Sequence, residues 1–463
     1  MSVTENELRR LVENRFIAPT RKKRKLYAGV ELELPIVNLN RTAVDFAVVH
    51  DLTLHFKEKF NFEESKRDED GNVCALENEA GDIFTYDCSY NNFEISLGKA
   101  ENLCELDIRL TEYLLFIQKT LRTSNHALTG MGINPYRKYN VNEPIHNGRY
   151  RMLFHYLSSY KNFSGEKQFH SLPCFGMFCS ASQVQLDIEY ENLIPAIKAF
   201  NKLEPFKALL FSNSVLNGED DTFVNVRDML WADSMQGVNP KNVGMHEPAP
   251  SSIEELIDYI LDASIYCTER EGRYYNFSPI PLREYYAQDT ITGEYFDEEI
   301  GAYKTSSFTP QLEDFEYLRT FKFQDLTFRG TIEFRSVCAQ PISHRLAPAA
   351  FHLGLFAHTE ELQNILDNDT SLYGRGASPS VMRELANGYR LPDFISKEAL
   401  QSTLLQILIL SECGLRARGF GEEKYLLPLY ERAKALKNPG QLFLDSLASG
   451  NDEQEIILKY GEI

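Results

Sequence analysis

Charged side chains at alternate positions of two apolar runs constrain this chain more than any other feature. Residues 29–34 read Gly-Val-Glu-Leu-Glu-Leu, and residues 331–335, much later in the chain, read Thr-Ile-Glu-Phe-Arg. Successive side chains of a strand point to opposite faces, so Glu31 and Glu33 share one face while the valine and leucines cover the other. Both segments are therefore predicted to be strands with one core face, and their other face carries either chemistry or solvated charge.

The composition indicates a protein with its own core and excludes several classes of partner. The 463 residues are 43% hydrophobic and 12% aromatic, which is enough to bury a substantial interior. Asp and Glu number 67 against 48 Lys and Arg, giving a formal net charge of -19. Such an acidic chain is not typical of a general nucleic-acid binder or of a protein that binds anionic membranes. Any anionic substrate must be attracted by a local positive site or by bound cations.

The sequence predicts a cytoplasmic location. It contains no apolar run of about 18 residues or more, and residues 1–24 are charged where a secretory signal would be apolar. The eight cysteines are scattered, without zinc-knuckle or CxxC spacing, and we interpret them as mostly reduced thiols.

Hydrophobic periodicity divides the chain into helices and strands without an internal repeat or a clear domain boundary. Helices are predicted at residues 1–13, 103–127, 193–203 and 252–263. Strands are predicted at residues 26–35, 83–86 and 180–188, with an exposed hairpin tip at residues 62–74, which include Asp70-Gly71-Asn72. After Pro341 the chain becomes helix-rich to about residue 437.

Strands with polar faces, separated by long helices in no regular βαβ order, predict an α+β fold with a mostly antiparallel sheet. The whole chain, residues 1–463, is predicted to be a single domain. Its helix-rich C-terminal part covers about residues 342–463.

Four predicted strand segments carry oxygen-bearing side chains that together could hold a cation. These side chains are Glu31 and Glu33, Asp87 and Glu94, Gln183 and Gln185, and Glu333. Asp87 and Glu94 are seven residues apart, an odd separation that would put them on opposite faces of an unbroken strand. A turn or bulge around residues 89–92 is therefore predicted, because without it Asp87 would lie outside the site.

A cluster of carboxylates requires a compensating positive charge, because two like charges about 4 Å apart repel by roughly 4 kcal/mol at an effective dielectric constant near 20. Mg2+ takes oxygen ligands and is commonly shared between carboxylates and substrate phosphates, so the cluster suggests nucleotide chemistry. Glu333 and Arg335 alternate on one strand and offer a metal ligand beside a phosphate-binding cation. A solvated sheet face and a structural ion pair remain alternative interpretations of these strands.

Six separated motifs resemble the glutamate-cysteine ligases, particularly the branch that includes the plant and many bacterial enzymes. In chain order they read GVELEL at 29–34, DCSYNNFEIS at 87–96, NGRYRML at 147–153, CSASQVQLDI at 179–188, SNS at 212–214 followed by RDMLW at 227–231, and GTIEFRS at 330–336. Their order and approximate spacing match the family over residues 26–341. The resemblance implies a glutamine-synthetase-like fold, in which a curved, mostly antiparallel sheet forms a cavity for magnesium, ATP and glutamate.

The resemblance also implies roles for individual residues. Metal-ligand positions, for two or three Mg2+ ions, fall on Glu31, Glu33, Asp87, Glu94, Gln183 and Glu333. Arg335 falls where the family contacts the ATP phosphates, and Arg335 and Arg149 are the expected catalytic residues. Arg149, Arg227 and Trp231 lie where family members bind substrate, with Arg227 expected at the glutamate α-carboxylate. Arg151 is close enough to Arg149 in sequence to exchange roles with it.

The activity implied by the resemblance is ATP- and Mg2+-dependent ligation of the glutamate γ-carboxylate to the amine of cysteine through a γ-glutamyl phosphate, the first step of glutathione biosynthesis. The expected partners are ATP, L-glutamate and L-cysteine, with no nucleic acid and no membrane, and the chain is expected to be a monomer or homodimer. The alternatives are a ligase of the same fold with another acceptor amine, a metal-free glycosidase-like hydrolase, and a non-catalytic nucleotide-binding protein. The motifs mark no residue of the acceptor pocket.

Overall fold

The computed structural model describes residues 3–141, 143–172, 175–217 and 222–463. The strands are β1 (Ala28–Asn38), β2 (Glu63–Arg67), β3 (Val73–Glu77), β4 (Ile83–Tyr86), β5 (Asn92–Ala100), β6 (His126–Leu128), β7 (Ser182–Asp187), β8 (Leu216–Asn217), β9 (Thr222–Phe223), β10 (Val243–Gly244), β11 (Ser264–Arg270), β12 (Arg273–Pro281), β13 (Ile291–Asp297), β14 (Ala302–Phe308), β15 (Phe321–Lys322), β16 (Gln324–Leu326) and β17 (Thr331–Phe334).

Helices cover most of the remaining regular structure. The α-helices are α1 (Glu5–Val12), α2 (Phe46–Phe60), α3 (Leu103–Arg122), α4 (Gly148–Ser158), α5 (Tyr190–Phe211), α6 (Val226–Ala232), α7 (Ile253–Leu261), α8 (Leu282–Ala287), α9 (Ala347–Phe356), α10 (Thr359–Asp367), α11 (Pro379–Ala386), α12 (Lys397–Arg418), α13 (Leu427–Ala435), α14 (Pro439–Ala448) and α15 (Glu453–Tyr460). Among the described residues, no helix is both long and apolar enough to cross a membrane.

The largest sheet has nine strands within the described residues, in the order β16-β17-β7-β1-β5-β4-β3-β2, with β6 also paired to β1. Every pairing in this sheet is antiparallel. A second antiparallel sheet contains β11 to β14, and the short strands β8 with β9 and β10 with β15 form separate pairs. The predicted α+β fold with a mostly antiparallel sheet is therefore confirmed.

The antiparallel register aligns the oxygen-bearing side chains across the large sheet. In β1, Glu33 pairs with Glu94 of β5, and Glu31 pairs with Gln183 of β7. Two residues along β7, a second glutamine pairs with Glu333 of β17. Directly paired residues point to the same face of a sheet, so one face of four adjacent strands carries all of these groups.

The opposite face of β1 belongs to the hydrophobic core. Val30, Leu32 and Leu34 are at most 3% exposed and lie in one apolar cluster with residues of α3, α5 and α9. Burying them removes apolar surface from water and specifies which side of the strand turns inward. The carboxylates of the same strand must then face the other way.

Most predicted elements appear close to their expected bounds, but the helix predicted at residues 103–127 is too long, because α3 ends at Arg122 and strand β6 begins at His126. A left-handed φ of +56° at Asn125 separates the two elements. Thr4 caps α1 in a capping box with Glu7, and Ser252 caps α7. Gly71, at the tip of the β2–β3 hairpin, has a φ of +87°, which glycine adopts without steric cost.

One helix extends well beyond its predicted bounds of residues 193–203. Helix α5 continues to Phe211, although a proline within a helix lacks an N–H donor and usually ends it. Pro195 and Pro205 are tolerated because α5 is buried in the core along most of its length, so packing outweighs the lost hydrogen bonds. Helices α14 and α15 lie within the helix-rich part expected at about residues 342–463.

Helices α9 and α12 approach closely where small residues face each other. A Cβ added to Gly354 would lie 2.2 Å from the carbonyl oxygen of Ser411, and one added to Gly414 would lie 2.0 Å from the carbonyl oxygen of Gly354. Because these oxygens belong to the backbone, no side-chain rotation relieves the overlap. The glycines therefore set the distance between the two helices.

We predict that Gly354→Ala lowers the free energy of unfolding by about 1–3 kcal/mol, the usual cost of overpacking a tight interior. This cost exceeds the gain of up to about 1 kcal/mol that alanine brings inside a helix. The matched control is Gly388→Ala, whose added Cβ lies 3.6 Å from its nearest neighbours. Urea unfolding followed by circular dichroism measures both variants, and a Gly354→Ala protein as stable as the parent would contradict the close contact.

Candidate active site

Side chains from three adjacent strands meet at the centre of the polar sheet face. The Gln183 Nε2 group donates hydrogen bonds to Glu31 Oε1 at 2.6 Å and to Glu33 Oε1 at 2.7 Å. Glu333 Oε1 accepts a hydrogen bond from Gln185 Nε2 at 2.6 Å. Glu33, Gln183 and Glu333 are all buried. The structure thus brings these residues of β1, β7 and β17 into one buried polar cluster, called the carboxylate cluster below.

Asp87 and Glu94 reach the carboxylate cluster because the chain turns between β4 and β5. The Asp87 N–H donates to the carbonyl oxygen of Asn92 at 3.0 Å, and Cys88 has a left-handed φ of +60°. The strand is therefore interrupted within the segment where the odd spacing required a break. The turn therefore allows the carboxylates of Asp87 and Glu94 to interact with Glu33.

The polypeptide alone leaves the carboxylate cluster short of positive charge. Burial, followed by the charge of Glu333, raises the pKa of Glu31 to about 7. Burial, followed by the charge of Asp87, raises the pKa of Glu33 to about 8. Burial and then the charge of Glu31 raise the pKa of Glu94 well above its ordinary value. Each shift reports the same cost, that of ionising several carboxylates together away from water.

Three arginines face the carboxylate cluster. Arg335 Nη1 donates to Glu333 Oε2 at 2.6 Å. Burial raises the pKa of Asp87, and the positive charges of Arg149, Arg335 and Arg227 oppose that rise. Arg227, on α6, is 7% exposed, and its Nε has no hydrogen-bond partner among the described residues. Its guanidinium therefore retains hydrogen-bonding capacity for a bound anion.

The structure distinguishes Arg149 from Arg151, which both lie on α4. Arg151 forms an ion pair with Glu69 in the β2–β3 hairpin, and its guanidinium lies 4.5 Å from the ring centroid of Phe296. Arg149 instead interacts with the charge of Asp87. Of the two residues, Arg149 is the one that faces the carboxylate cluster.

Trp231 lies about one helical turn after Arg227 on α6. Its ring stacks on Phe321 with the centroids 4.4 Å apart. The guanidinium of Arg335 lies 5.8 Å from the centroid of the same Phe321 ring. Trp231 therefore contacts the site only indirectly, by packing against the Phe321 ring that lies beside Arg335.

The donor atoms of the carboxylate cluster suit a hard cation. Carboxylate and amide oxygens are the ligands that Mg2+ takes, and Gln183 Oε1 is buried without a hydrogen-bond partner among the described residues. In their present positions, however, no three His, Cys, Asp or Glu side chains in the described ranges form a metal-binding group. The amide N–H groups of Gln183 and Gln185 satisfy the carboxylate oxygens instead. For Gln183 to act as a cation ligand, its amide would have to present its oxygen in place of its nitrogen.

Asp325 is a site residue that the sequence analysis did not identify. It pairs with Glu333 across β16 and β17, so both carboxylates lie on the same face. Asp325 accepts a hydrogen bond from Thr320 Oγ1 at 2.5 Å, and burial raises its pKa to about 6. With Glu333 and Arg335, it lines a cavity of about 240 Å³ beside the carboxylate cluster. The Gln-Asp-Leu alternation of β16 was the available signal, but a strand this short rarely stands out.

The sequence matches a known family over most of its length. A family model described as Glutamate-cysteine ligase family 2 (GCS2) matches residues 29–456. The chain is 23% identical over 377 residues to the chloroplastic glutamate–cysteine ligase of Medicago truncatula, covering 80% of this chain and 69% of that protein. It is also 23% identical over 364 residues to the chloroplastic glutamate–cysteine ligase of Arabidopsis thaliana, covering 76% of this chain and 64% of that protein.

A solved structure of a glutamate–cysteine ligase from Francisella tularensis, in complex with AMP, aligns with a TM-score of 0.49 and 11% identity, covering 95% of this chain and 88% of that chain. The chain spans 69% and 64% of the two plant relatives, which is about two thirds of their length. The family match from residue 29 to residue 456 includes every residue of the carboxylate cluster and the three arginines that face it. The chain therefore belongs to glutamate-cysteine ligase family 2 (GCS2).

Proposed function

We propose that this protein is an ATP- and Mg2+-dependent ligase that joins the γ-carboxylate of glutamate to the amine of cysteine. The observation that carries the proposal is the buried carboxylate cluster faced by Arg149, Arg227 and Arg335. The carboxylates attract divalent cations and the arginines attract anions, which together suit a triphosphate and an amino-acid carboxylate. Membership of the family supports the same activity.

The cluster supplies the residues that would hold Mg2+. These residues are Glu31, Glu33, Asp87, Glu94, Gln183 and Glu333. When bound, Mg2+ would neutralise the carboxylates and balance the charge of the ATP phosphates. Burial first, and then the neighbouring carboxylates, raise the pKa values of Glu31 and Glu33, and bound cations would offset both effects.

Each of the three arginines would bind a different group of the substrates. Arg335, bonded to Glu333 and lining the cavity beside Asp325, would contact the ATP phosphates. Arg227 would hold the glutamate α-carboxylate through parallel N–H donors, since its buried Nε lacks a partner among the described residues. Arg149, which interacts with the charge of Asp87, would stabilise negative charge on the transferring phosphoryl group.

The proposed reaction has two steps. A γ-carboxylate oxygen of glutamate attacks the γ-phosphorus of ATP, and the bond from that phosphorus to the bridging oxygen breaks to release ADP. The neutral amine nitrogen of the acceptor then attacks the acyl carbon, and the bond from that carbon to the phosphate oxygen breaks. Phosphate leaves with the proton that the nitrogen loses as the amide bond forms. Arg335 and Arg149 present fixed charge to the phosphoryl oxygens, so little reorganisation is needed during transfer. The buried sheet face would shield the acyl phosphate from bulk water.

The acceptor amine is the part of the proposal that the cluster itself does not select, because a ligase with the same metal and arginine residues could use another amine. We propose cysteine as the acceptor, the cytoplasm as the location, and a monomer or homodimer as the assembly.

The deciding experiment measures ADP and phosphate release from ATP, Mg2+ and L-glutamate, with and without L-cysteine and with a panel of other amines. The proposal expects cysteine-dependent release, with γ-glutamylcysteine detected by mass spectrometry. A stronger response to another amine would correct the acceptor. No glutamate-dependent release with any amine would refute the ligase.

Glu333→Gln is predicted to fold and to lose turnover by on the order of 100-fold, the scale of losing a key electrostatic group. The substitution removes a negative charge of the cluster with almost no change in volume. Glu313→Gln, at an exposed position, is the matched control and should keep normal turnover. Steady-state ADP release and circular dichroism test the pair, and near-normal turnover of Glu333→Gln would remove Glu333 from the proposed metal site.

Arg227→Lys is predicted to raise the KM for glutamate by about tenfold, because a point ammonium cannot reproduce the two parallel hydrogen bonds of a guanidinium. Arg151→Lys is the control, since Arg151 pairs with Glu69 outside the cluster and should leave this KM unchanged. Initial rates at varied glutamate give both values. An unchanged KM in Arg227→Lys would place the α-carboxylate elsewhere.

Mg2+ is predicted to raise the thermal midpoint more at pH 8 than at pH 6. Glu31 and Glu33 have pKa values raised to about 7 and about 8 from 4.5, so the folded chain binds more protons than the unfolded chain in this range. The metal-free protein therefore loses stability as pH rises through these values. Cations replace the lost protons at pH 8 but must compete with them at pH 6. Thermal unfolding with Mg2+ or with EDTA measures the shift, and equal shifts at both pH values would contradict the prediction.

A further inference from the structure

A second buried charged group lies directly behind the candidate active site. It consists of Glu204 and Lys207 on α5, Asp228 on α6 and Arg383 on α11. Glu204, Lys207 and Arg383 are at most 3% exposed. Lys207 Nζ donates to Glu204 Oε1 at 2.6 Å. The proposed reaction uses none of these side chains directly.

All three guanidinium nitrogens of Arg383 donate hydrogen bonds to other members of this group. Its Nε and Nη2 donate to the two carboxylate oxygens of Asp228, at 2.6 and 3.1 Å. Its Nη1 donates to Glu204 Oε2 at 2.6 Å and to the Glu204 carbonyl oxygen at 2.7 Å. Nη2 also contacts the carbonyl oxygen of Ser336 at 3.4 Å. The planar fork of arginine allows these simultaneous contacts, and the single ammonium of lysine does not.

Two of these contacts fall on residues that directly follow the substrate-facing arginines. Asp228 follows Arg227 in α6, and Ser336 follows Arg335 just after β17. The Ser336 hydroxyl also donates to Glu204 Oε1 at 3.2 Å. One buried guanidinium therefore connects the two chain segments that present Arg227 and Arg335.

The group behind the site is balanced in charge, which makes it resistant to displacement. The carboxylates of Glu204 and Asp228 face the cations of Lys207 and Arg383. Asn387 Nδ2 adds a hydrogen bond to Asp228 Oδ2 at 3.0 Å. Moving one member would leave a buried charge without its partner, which is strongly unfavourable. The segments that it connects are therefore held at a fixed separation.

We propose that Arg383 is a positioning residue that sets the spacing between Arg227 and Arg335 and thereby couples glutamate binding to ATP binding. The inference rests on the proposed function, in which Arg227 holds glutamate and Arg335 holds the ATP phosphates. Misplacing reacting groups by about 1 Å can cost about 100-fold in rate, so a fixed spacing has a direct catalytic value. Because α11 belongs to the helix-rich part after Pro341, the inference also gives that part a role.

The test measures binding of a non-hydrolysable ATP analogue with Mg2+ by isothermal titration calorimetry, with and without saturating L-glutamate. In the parent protein, glutamate is expected to tighten the binding by about fivefold or more, the usual lower range for coupled sites. In Arg383→Lys this coupling is expected to disappear. The matched control is Arg345→Lys, a buried arginine that pairs with Asp107 in α3, and it should keep the coupling.

Steady-state kinetics provide a second measurement. In Arg383→Lys the KM for glutamate and the KM for ATP should both rise and kcat should fall, whereas a purely structural role would lower the thermal midpoint and leave both KM values unchanged. If this variant does not fold, Asn387→Ala leaves Arg383 in place, removes the side-chain hydrogen bonds of Asn387 with Asp228 and Asn225, and should weaken the coupling in part.

Coupling that is absent from the parent protein, or that survives in Arg383→Lys, would overturn the inference alone. A parent protein that binds neither glutamate nor the ATP analogue would refute the proposed function, and the inference with it. The two failures are distinguished by whether the parent protein binds the separate ligands.

Discussion

The cost of burying several carboxylates together on one sheet face is the constraint on which the rest of the structure depends. Burial and neighbouring charge raise the pKa of Glu31 to about 7 and that of Glu33 to about 8, so the folded chain carries these groups at a cost. The amide of Gln183 satisfies part of their hydrogen-bonding capacity, and three arginines oppose part of their charge. The strand register aligns the carboxylates, and the turn before β5 adds Asp87. Helices α4 and α6 carry Arg149 and Arg227, which face these groups.

The local part of the arrangement could be predicted from the sequence, because it follows from regularities within short segments. An alternation of polar and apolar residues indicates a half-buried strand. This pattern identified the strands that carry Glu31, Glu33 and Glu333. The odd spacing of Asp87 and Glu94 required a break, and the turn between β4 and β5 supplies it. The α+β class followed from the order of these elements.

The remaining features depend on partners far away in the chain and needed the tertiary structure. Arg149 and Arg151 are equivalent by sequence, and the ion pair of Arg151 with Glu69 decides which of them faces the cluster. Asp325 becomes visible only through its pairing with Glu333. Arg383 lies in a helical pattern with no distinguishing motif, and its partner Asp228 is 155 residues away. Propensity and periodicity describe neighbours along the chain, whereas these contacts are set by packing between elements.

The strand register limits how this chain can diverge during evolution. Because side chains alternate with a period of two, inserting or deleting one residue within β1 would exchange its faces and bury Glu31 and Glu33 in the apolar interior. Replacements on the apolar face need only conserve approximate volume. Changes in length are tolerated in the connections, such as the exposed tip between β2 and β3. Homologues should consequently vary in their loops while the strands that carry the carboxylates keep the same number of residues.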